Sequence, residues 1–239
     1  MRKVVLVDYG AGNLASVVKG LRAAGADVSV ATAAADLAAA QAIVVPGVGH
    51  FDATRALDEP WRSAVLAGID AGAAVLGICL GMQWLFDGSE EAPALPGLGV
   101  FAGTCVRFRE KTSGVFSAQV ENPEENRPEQ RRRVSIAVKK TPDVFSGVKV
   151  PHVGWNTIER TAAPSRILDG VPSGAYGYFT HSYVAPVTAA AAATTTHGMD
   201  FASVVARGRV FGAQWHPEKS GGAGLRLLRN FITIAAEGR

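Results

Sequence analysis

The sequence predicts an α/β protein: a central, mostly parallel sheet flanked by helices, with an additional mixed or antiparallel β region. Three observations predict it. Short β-branched runs alternate with helical patterns through the first hundred residues, strand-like runs crowd closer together in the second half, and an amphipathic stretch closes the chain. With 239 residues, 48% of them apolar and 19% charged, the chain can build one sizeable core, so a single domain over residues 1–239 is expected.

Residues 3–8, 27–31, 42–45 and 73–78 read as strands, each short, apolar and bounded by turn-forming residues. Between them, residues 13–24 place Leu14, Val17, Val18 and Leu21 on one helical stripe, and Gly25 is a natural stop. Residues 60–71 repeat the device, with Pro60 near the start and Gly72 after the end. Such alternation gathers functional groups at the carboxyl ends of the strands. In the second half, residues 100–108, 134–139, 177–183, 202–206 and 210–214 read as strands of a mixed sheet. The run 189–193 stays open, because its alanines favour helix and the threonines after it favour strand. Residues 224–236 carry Leu225, Leu228, Phe231 and Ile232 at helical spacing and close the chain as a helix. Residues 109–133, rich in Glu and Arg around Pro123 and Pro128, read as a solvated, mobile surface insert.

Composition narrows the function classes. A net charge of +3 is too small for a chain that coats nucleic acid. The apolar run Val4-Val5-Leu6-Val7 is stopped by Asp8, too short for a signal peptide, and no stretch is long enough to span a bilayer. Two cysteines, Cys79 and Cys105, make no disulfide framework and fit a reducing, cytoplasmic setting.

Three segments carry chemistry. Gly77-Ile78-Cys79-Leu80-Gly81 follows an apolar strand and precedes a helical stretch, the setting of a nucleophile elbow with cysteine in place of serine. Such a turn exposes the sulfur at a helix start, where unpaired N–H groups favour thiolate. Taken alone it is equally a small buried cysteine in a tight turn. His216-Pro217-Glu218 ends the strand over 210–214; Pro217 holds His216 extended, and residues two apart then project to one side. Glu218 can thus fix the His216 tautomer and leave the other ring nitrogen as a base. An isolated pair of this kind is more often a surface feature, but beside an elbow it completes a triad. Pro46-Gly47-Val48-Gly49 follows a strand, and its glycines let peptides turn N–H groups toward an oxyanion, with the Leu80 N–H as a second donor. Gly10-Ala11-Gly12 lacks the rest of a dinucleotide fingerprint, and no cofactor or metal is expected.

The elbow from Gly77 to Gln83 and the segment 216–218 resemble the class I glutamine amidotransferase family. Residues 7–17, 46–51 and 149–156, with Tyr178 to Tyr183 and Lys219-Ser220, are similar to the branch that serves as glutaminase subunits of imidazole glycerol phosphate synthases. The resemblance runs from the first strand to the last helix. It implies an amidotransferase-like fold, with Cys79 as nucleophile, His216 as general acid and base, and Glu218 as its orienting partner. It implies an oxyanion hole from Gly47, Val48, Gly49 and Leu80, and glutamine held by Gln83, Glu91, Ser182 and Tyr183. It also places Asn13, Trp155, Tyr178 and Lys219 toward a partner, a (β/α)₈ cyclase that forms a heterodimer with the chain and uses its ammonia in histidine synthesis. The chain departs from the family at residues 109–133, where the usual connection is shorter. Arg131-Arg132-Arg133 there reads as a solvated run rather than an anion clamp.

So few residues follow Glu218 that a separate chain is expected to bind the ammonia acceptor. Rival readings are a different synthase partner, a Cys-His-Glu peptidase or γ-glutamyl hydrolase acting alone, and an inactive binding module. Trp155 within the 149–156 segment argues against the first, and the intact Cys79, His216 and Glu218 against the last.

Overall fold

The computed structural model describes residues 2–108 and 148–237. The charged stretch 109–133 and the expected strand 134–139 lie outside them. In chain order the elements are β1 (Arg2–Val7), α1 (Leu14–Ala23), β2 (Ala26–Ala31), β3 (Ala42–Val45), α2 (Glu59–Asp70), β4 (Ala74–Ile78) and α3 (Leu80–Trp84). There follow β5 (Gly88–Ser89), β6 (Thr104–Arg107), β7 (His152–Arg160), β8 (Ala175–His181), β9 (Tyr183–Val184), β10 (Ala191–His197), β11 (Met199–Arg207), β12 (Val210–Ala213) and α4 (Gly221–Ala236).

Nine strands form one sheet in the order β2-β1-β3-β4-β12-β11-β10-β7-β8. The half from β2 to β12 is parallel, and every pairing from β12 to β8 is antiparallel. A small second sheet joins β5, β6 and β9. The α/β class with a mixed sheet is therefore as the sequence predicts.

Strand alternation divides the core. Val4 and Leu6 of β1 face the side covered by α1 and α4, where Val17, Leu21, Leu228 and Phe231 are buried. Val5 and Val7 face the other side with Ile43, Val45, Trp61 and Val65. The first helix starts where Asn13 accepts a hydrogen bond from the Ser16 N–H at 3.1 Å. Gly25, at φ +102°, follows its end.

Four expectations change. The strand over 100–108 shrinks to β6, because Gly99 (φ +73°) and Gly103 (φ +111°) turn the chain around the buried Phe101. The strand over 177–183 divides at Ser182 into β8 and β9, which belong to different sheets. In the open stretch 189–193, residues 189–190 turn and residues 191–193 begin β10, whose Thr194, Thr195 and Thr196 pair with β11. Finally, β7 is a nine-residue strand that the sequence hides, since Gly154 and Asn156 interrupt its apolar pattern. Among the described residues no helix is long and apolar enough to cross a membrane.

Candidate active site

The parallel strands β3, β4 and β12 deliver three loops to one place: Gly47 follows β3, Cys79 follows β4, and Gln214 to Glu218 follow β12. Cys79 sits between β4 and α3 at φ 53°, ψ −107°, a conformation that costs a residue with a Cβ about 1–3 kcal/mol. Hydrogen bonds hold it there from both sides: its N–H donates to the Ala213 carbonyl at 2.7 Å, and its carbonyl accepts from the Gln83 N–H at 3.1 Å. The flanking glycines are sterically required. A Cβ on Gly81 would collide with the Val45 carbonyl oxygen, and one on Gly77 would lie 2.6 Å from the Gly81 carbonyl oxygen. The elbow thus depends on bare backbone at both glycines. The turn does not expose Cys79 as the sequence reading expects, because the residue is only 3% accessible.

Behind the sulfur lie His216 and Glu218. Their Nδ1 and Oε1 atoms are 2.8 Å apart, and the side chains are 2% and 1% accessible. Among the described residues His216 Nε2 and Glu218 Oε2 are buried with no hydrogen bond formed. Burial pulls the imidazole pKa down, but the neighbouring Cys79 sulfur and the hydrogen-bonded Glu218 carboxylate outweigh it and push His216 up to about 9. Ser220 locks the segment by donating to the His216 carbonyl and accepting the Tyr178 N–H. Gly20 of α1 packs against Glu218, where a Cβ would stand 2.9 Å from the Glu218 Cβ. That contact carries no sequence signal.

In front of the sulfur is a cleft of about 250 Å³. Val48, Gly49, Leu80, Gln83, Glu91, Ser182 and Tyr183 line it with Cys79, so eight of the residues singled out in the sequence meet there. The Glu91 carboxylate accepts the Phe51 N–H at 2.8 Å, which aims it into the cleft. Gln83 donates to the Tyr183 carbonyl at 2.8 Å and to Gln214 at 3.2 Å. Gly47 does not line the cleft; its carbonyl accepts the Leu80 N–H at 3.4 Å. The Tyr9 hydroxyl pins the same loop by donating to the Pro46 carbonyl at 2.9 Å. Burial, then the nearby Cys79 charge, raises the Tyr9 pKa and keeps the phenol protonated.

A larger groove of about 1010 Å³ opens beside α2, but it is walled mainly by alanines and lacks convergent polar groups. Among the described residues no group of three or more His, Cys, Asp and Glu side chains is arranged to hold a metal ion.

The model of the class-I glutamine amidotransferases matches residues 5–235. The chain belongs to the class-I glutamine amidotransferase family. It is 41% identical to "Imidazole glycerol phosphate synthase subunit HisH" of Deinococcus radiodurans, over 96% of this chain and 92% of that one. It is 39% identical to the protein of the same name from Natronomonas pharaonis, over 98% and 96% of the two chains. Among solved structures, a glutamine amidotransferase crystal structure superposes with a TM-score of 0.64 at 20% identity, covering 98% of this chain and 99% of that one. The amidotransferase is accordingly an enzyme of this fold.

Outside the cleft, the amidotransferase presents an aromatic and basic face. Trp155 is 57% accessible and packs edge-on against Tyr178 at 5.8 Å, and the Lys219 ammonium stands 5.9 Å from the Tyr178 ring centre. Asn13 is exposed at the start of α1. The amidotransferase also holds site residues that sequence reasoning passed over: Tyr9, Thr180, His181 and Gln214. The Thr180 carbonyl lies 3.9 Å from the Cys79 sulfur and the Gln214 amide nitrogen 3.8 Å from it.

Proposed function

We propose that the enzyme hydrolyses glutamine through a Cys79–His216–Glu218 triad and passes the ammonia to a cyclase subunit. The supporting observation is the strained, cleft-lining Cys79 with the sealed His216–Glu218 pair behind it. The Cys79 thiolate attacks the side-chain amide carbon, and N–H groups of Leu80 and the 47–49 loop hold the oxyanion. His216 gives a proton to the leaving nitrogen, leaving a γ-glutamyl thioester. It then takes a proton from water, whose oxygen displaces the sulfur to release glutamate. Gln83, Glu91, Ser182 and Tyr183 hold glutamine around the cleft.

Ammonia free in neutral water is mostly protonated and poorly nucleophilic, so a docked acceptor is part of this function. The relatives are named as subunits of imidazole glycerol phosphate synthase, and this chain's partner is proposed to be the (β/α)₈ cyclase of that enzyme, giving a heterodimer. Its substrate is a phosphoribulosyl aminoimidazole-carboxamide nucleotide. The products are imidazole glycerol phosphate, for histidine synthesis, and an aminoimidazole-carboxamide ribonucleotide. The exposed Asn13, Trp155 and Lys219, with the half-buried Tyr178, supply the docking face. The decisive experiment is Cys79→Ala in the complex: glutamine-dependent synthesis should vanish while synthesis from ammonium salts at alkaline pH continues. Loss of both in a folded complex would defeat this division of labour.

A further inference from the structure

Gln214 is fully buried, and both ends of its amide are engaged. Its orientation follows from its neighbours. The Gln83 Nε2 faces the Tyr183 carbonyl at 2.8 Å, and a carbonyl only accepts, so that atom is a donor. The same Nε2 lies 3.2 Å from Gln214, which must therefore present its oxygen there and its NH₂ to the Cys79 sulfur, 3.8 Å away.

The Tyr183 carbonyl has a second lone pair, and His181 Nδ1 occupies it at 3.1 Å. That proton assignment makes His181 Nε2 an acceptor, so His152 Nδ1, 3.3 Å away, carries a proton. His152 Nε2 is then an acceptor for the Asn156 amide at 3.3 Å. Asn156 is itself fixed, because its Oδ1 takes the Thr157 N–H at 2.8 Å and its Nδ2 also reaches the Thr196 carbonyl at 3.0 Å. Both imidazoles are neutral in this arrangement. Burial, then the neighbouring His197 or His152, drives His152 down to about 4 and His181 down to about 3.

Two directed arms thus converge on one carbonyl. One runs from Asn156 on β7 through two histidines; the other runs from Gln83 through Gln214 to the sulfur. We propose that Gln214 is a positioning residue for Cys79: its NH₂, oriented because Gln83 donates to the Tyr183 carbonyl and again to the Gln214 oxygen, steers the sulfur and favours its thiolate form. The proposal rests on the reading of Cys79 as nucleophile. Hydrogen bonds to a charged form stabilise that form, and the other titratable groups around the sulfur and its cleft, His216, Tyr9, Glu91, His50, His181 and Tyr183, remain in the variants below.

The test is the pH dependence of Cys79 alkylation by iodoacetamide, read at the Cys79 peptide by mass spectrometry in the full-length chain complexed with its partner. Gln214→Met removes the donor at similar volume and should move the midpoint up by about one unit, a tenfold weaker thiolate. Gln214→Glu keeps an acceptor for Gln83 and should move it further, because a carboxylate would face the sulfur. It also serves if the Met variant does not fold. Glutamine kcat should fall about 10- to 100-fold with KM changed less than threefold. Unchanged midpoints in folded variants overturn the proposal. Glutamine turnover surviving in Cys79→Ala would overturn the nucleophile reading itself, and this proposal with it.

Discussion

His216 Nδ1 stands 2.8 Å from Glu218 Oε1, and almost no water reaches either side chain. The contact fixes the ring's orientation and leaves Nε2 turned to the side of the sulfur, where its charge and that of Cys79 are coupled. Replacing the carboxylate by an amide keeps the shape and loses the charge. Glu218→Gln should therefore lower kcat for glutamine by about 10²- to 10⁴-fold, with a smaller change in KM. Steady-state kinetics of the complex would measure it, and a loss below fivefold would remove Glu218 from the triad.

The same histidine predicts how stability varies with pH. His216 is raised to about 9, so its contribution is complete below an unfolded value near 6.5 and is lost as pH rises through 9. His181 and His152 are lowered to about 3 and 4. The unfolded chain binds their protons first, so their contribution is present above about 6.5 and is lost as pH falls toward 3. Each proton difference is worth up to about 1.4 kcal/mol per pH unit. Melting temperature should peak near pH 6.5, with Glu218→Gln flattening the alkaline limb and His181→Gln the acid limb. A wild-type Tm that climbs steadily from pH 4.5 to 8.5 contradicts the His216 assignment.

How much of this was legible in the sequence depended on how local the signal was. Strand Ala42–Val45 was readable to the residue because an apolar, partly β-branched run is cut off by Pro46-Gly47. By contrast, β7 earns its place by pairing with β8 and β10 along a half-exposed surface, which no local pattern encodes. The residues 79, 216 and 218 stood out because a tight turn and a proline frame them. Gln214 did not, because it meets Cys79 across 135 positions and looks in sequence like any polar residue ending a strand. His181 was hidden similarly, its partner His152 lying 29 positions away.

The elbow's strain has its own signature. Cys79 holds φ 53°, ψ −107°, where a Cβ is penalised and glycine is not. Cys79→Gly and Cys79→Ala should both be inactive with glutamine, yet the glycine variant should be more stable by about 1 kcal/mol despite its larger unfolded-state entropy. That corresponds to about 2–4 °C in Tm for a chain of this size. Equal or reversed melting temperatures would show that the turn stores no strain.

The last prediction concerns the peptide between Gly47 and Val48. The Gly47 carbonyl accepts the Leu80 N–H at 3.4 Å, so a donor assigned to the oxyanion is turned to the protein's own backbone. In a trans peptide the carbonyl and the following N–H point in opposite directions. Rotating this one peptide would withdraw the Gly47 oxygen, free the Leu80 N–H and bring the Val48 N–H toward the cleft. Such a rotation changes ψ of Gly47 and φ of Val48, and glycine at 47 can absorb its share, while Gly49, at φ +102°, holds the next turn of the loop. At Gly47 itself a Cβ would clash with the Tyr9 hydroxyl oxygen and lie 2.7 Å from the Leu80 Cβ, so the loop tolerates only glycine there. One missing donor is worth about 10²- to 10³-fold in rate. The free subunit should therefore hydrolyse glutamine at least 100 times more slowly than the complex with partner and acceptor substrate, and a Gly49→Pro variant, unable to hold its positive φ, should lose that activation. Stopped-flow or coupled glutamate assays on free and complexed chains decide it: equal turnover in the two states would mean that the peptide is already competent as it stands and that no rotation gates the reaction.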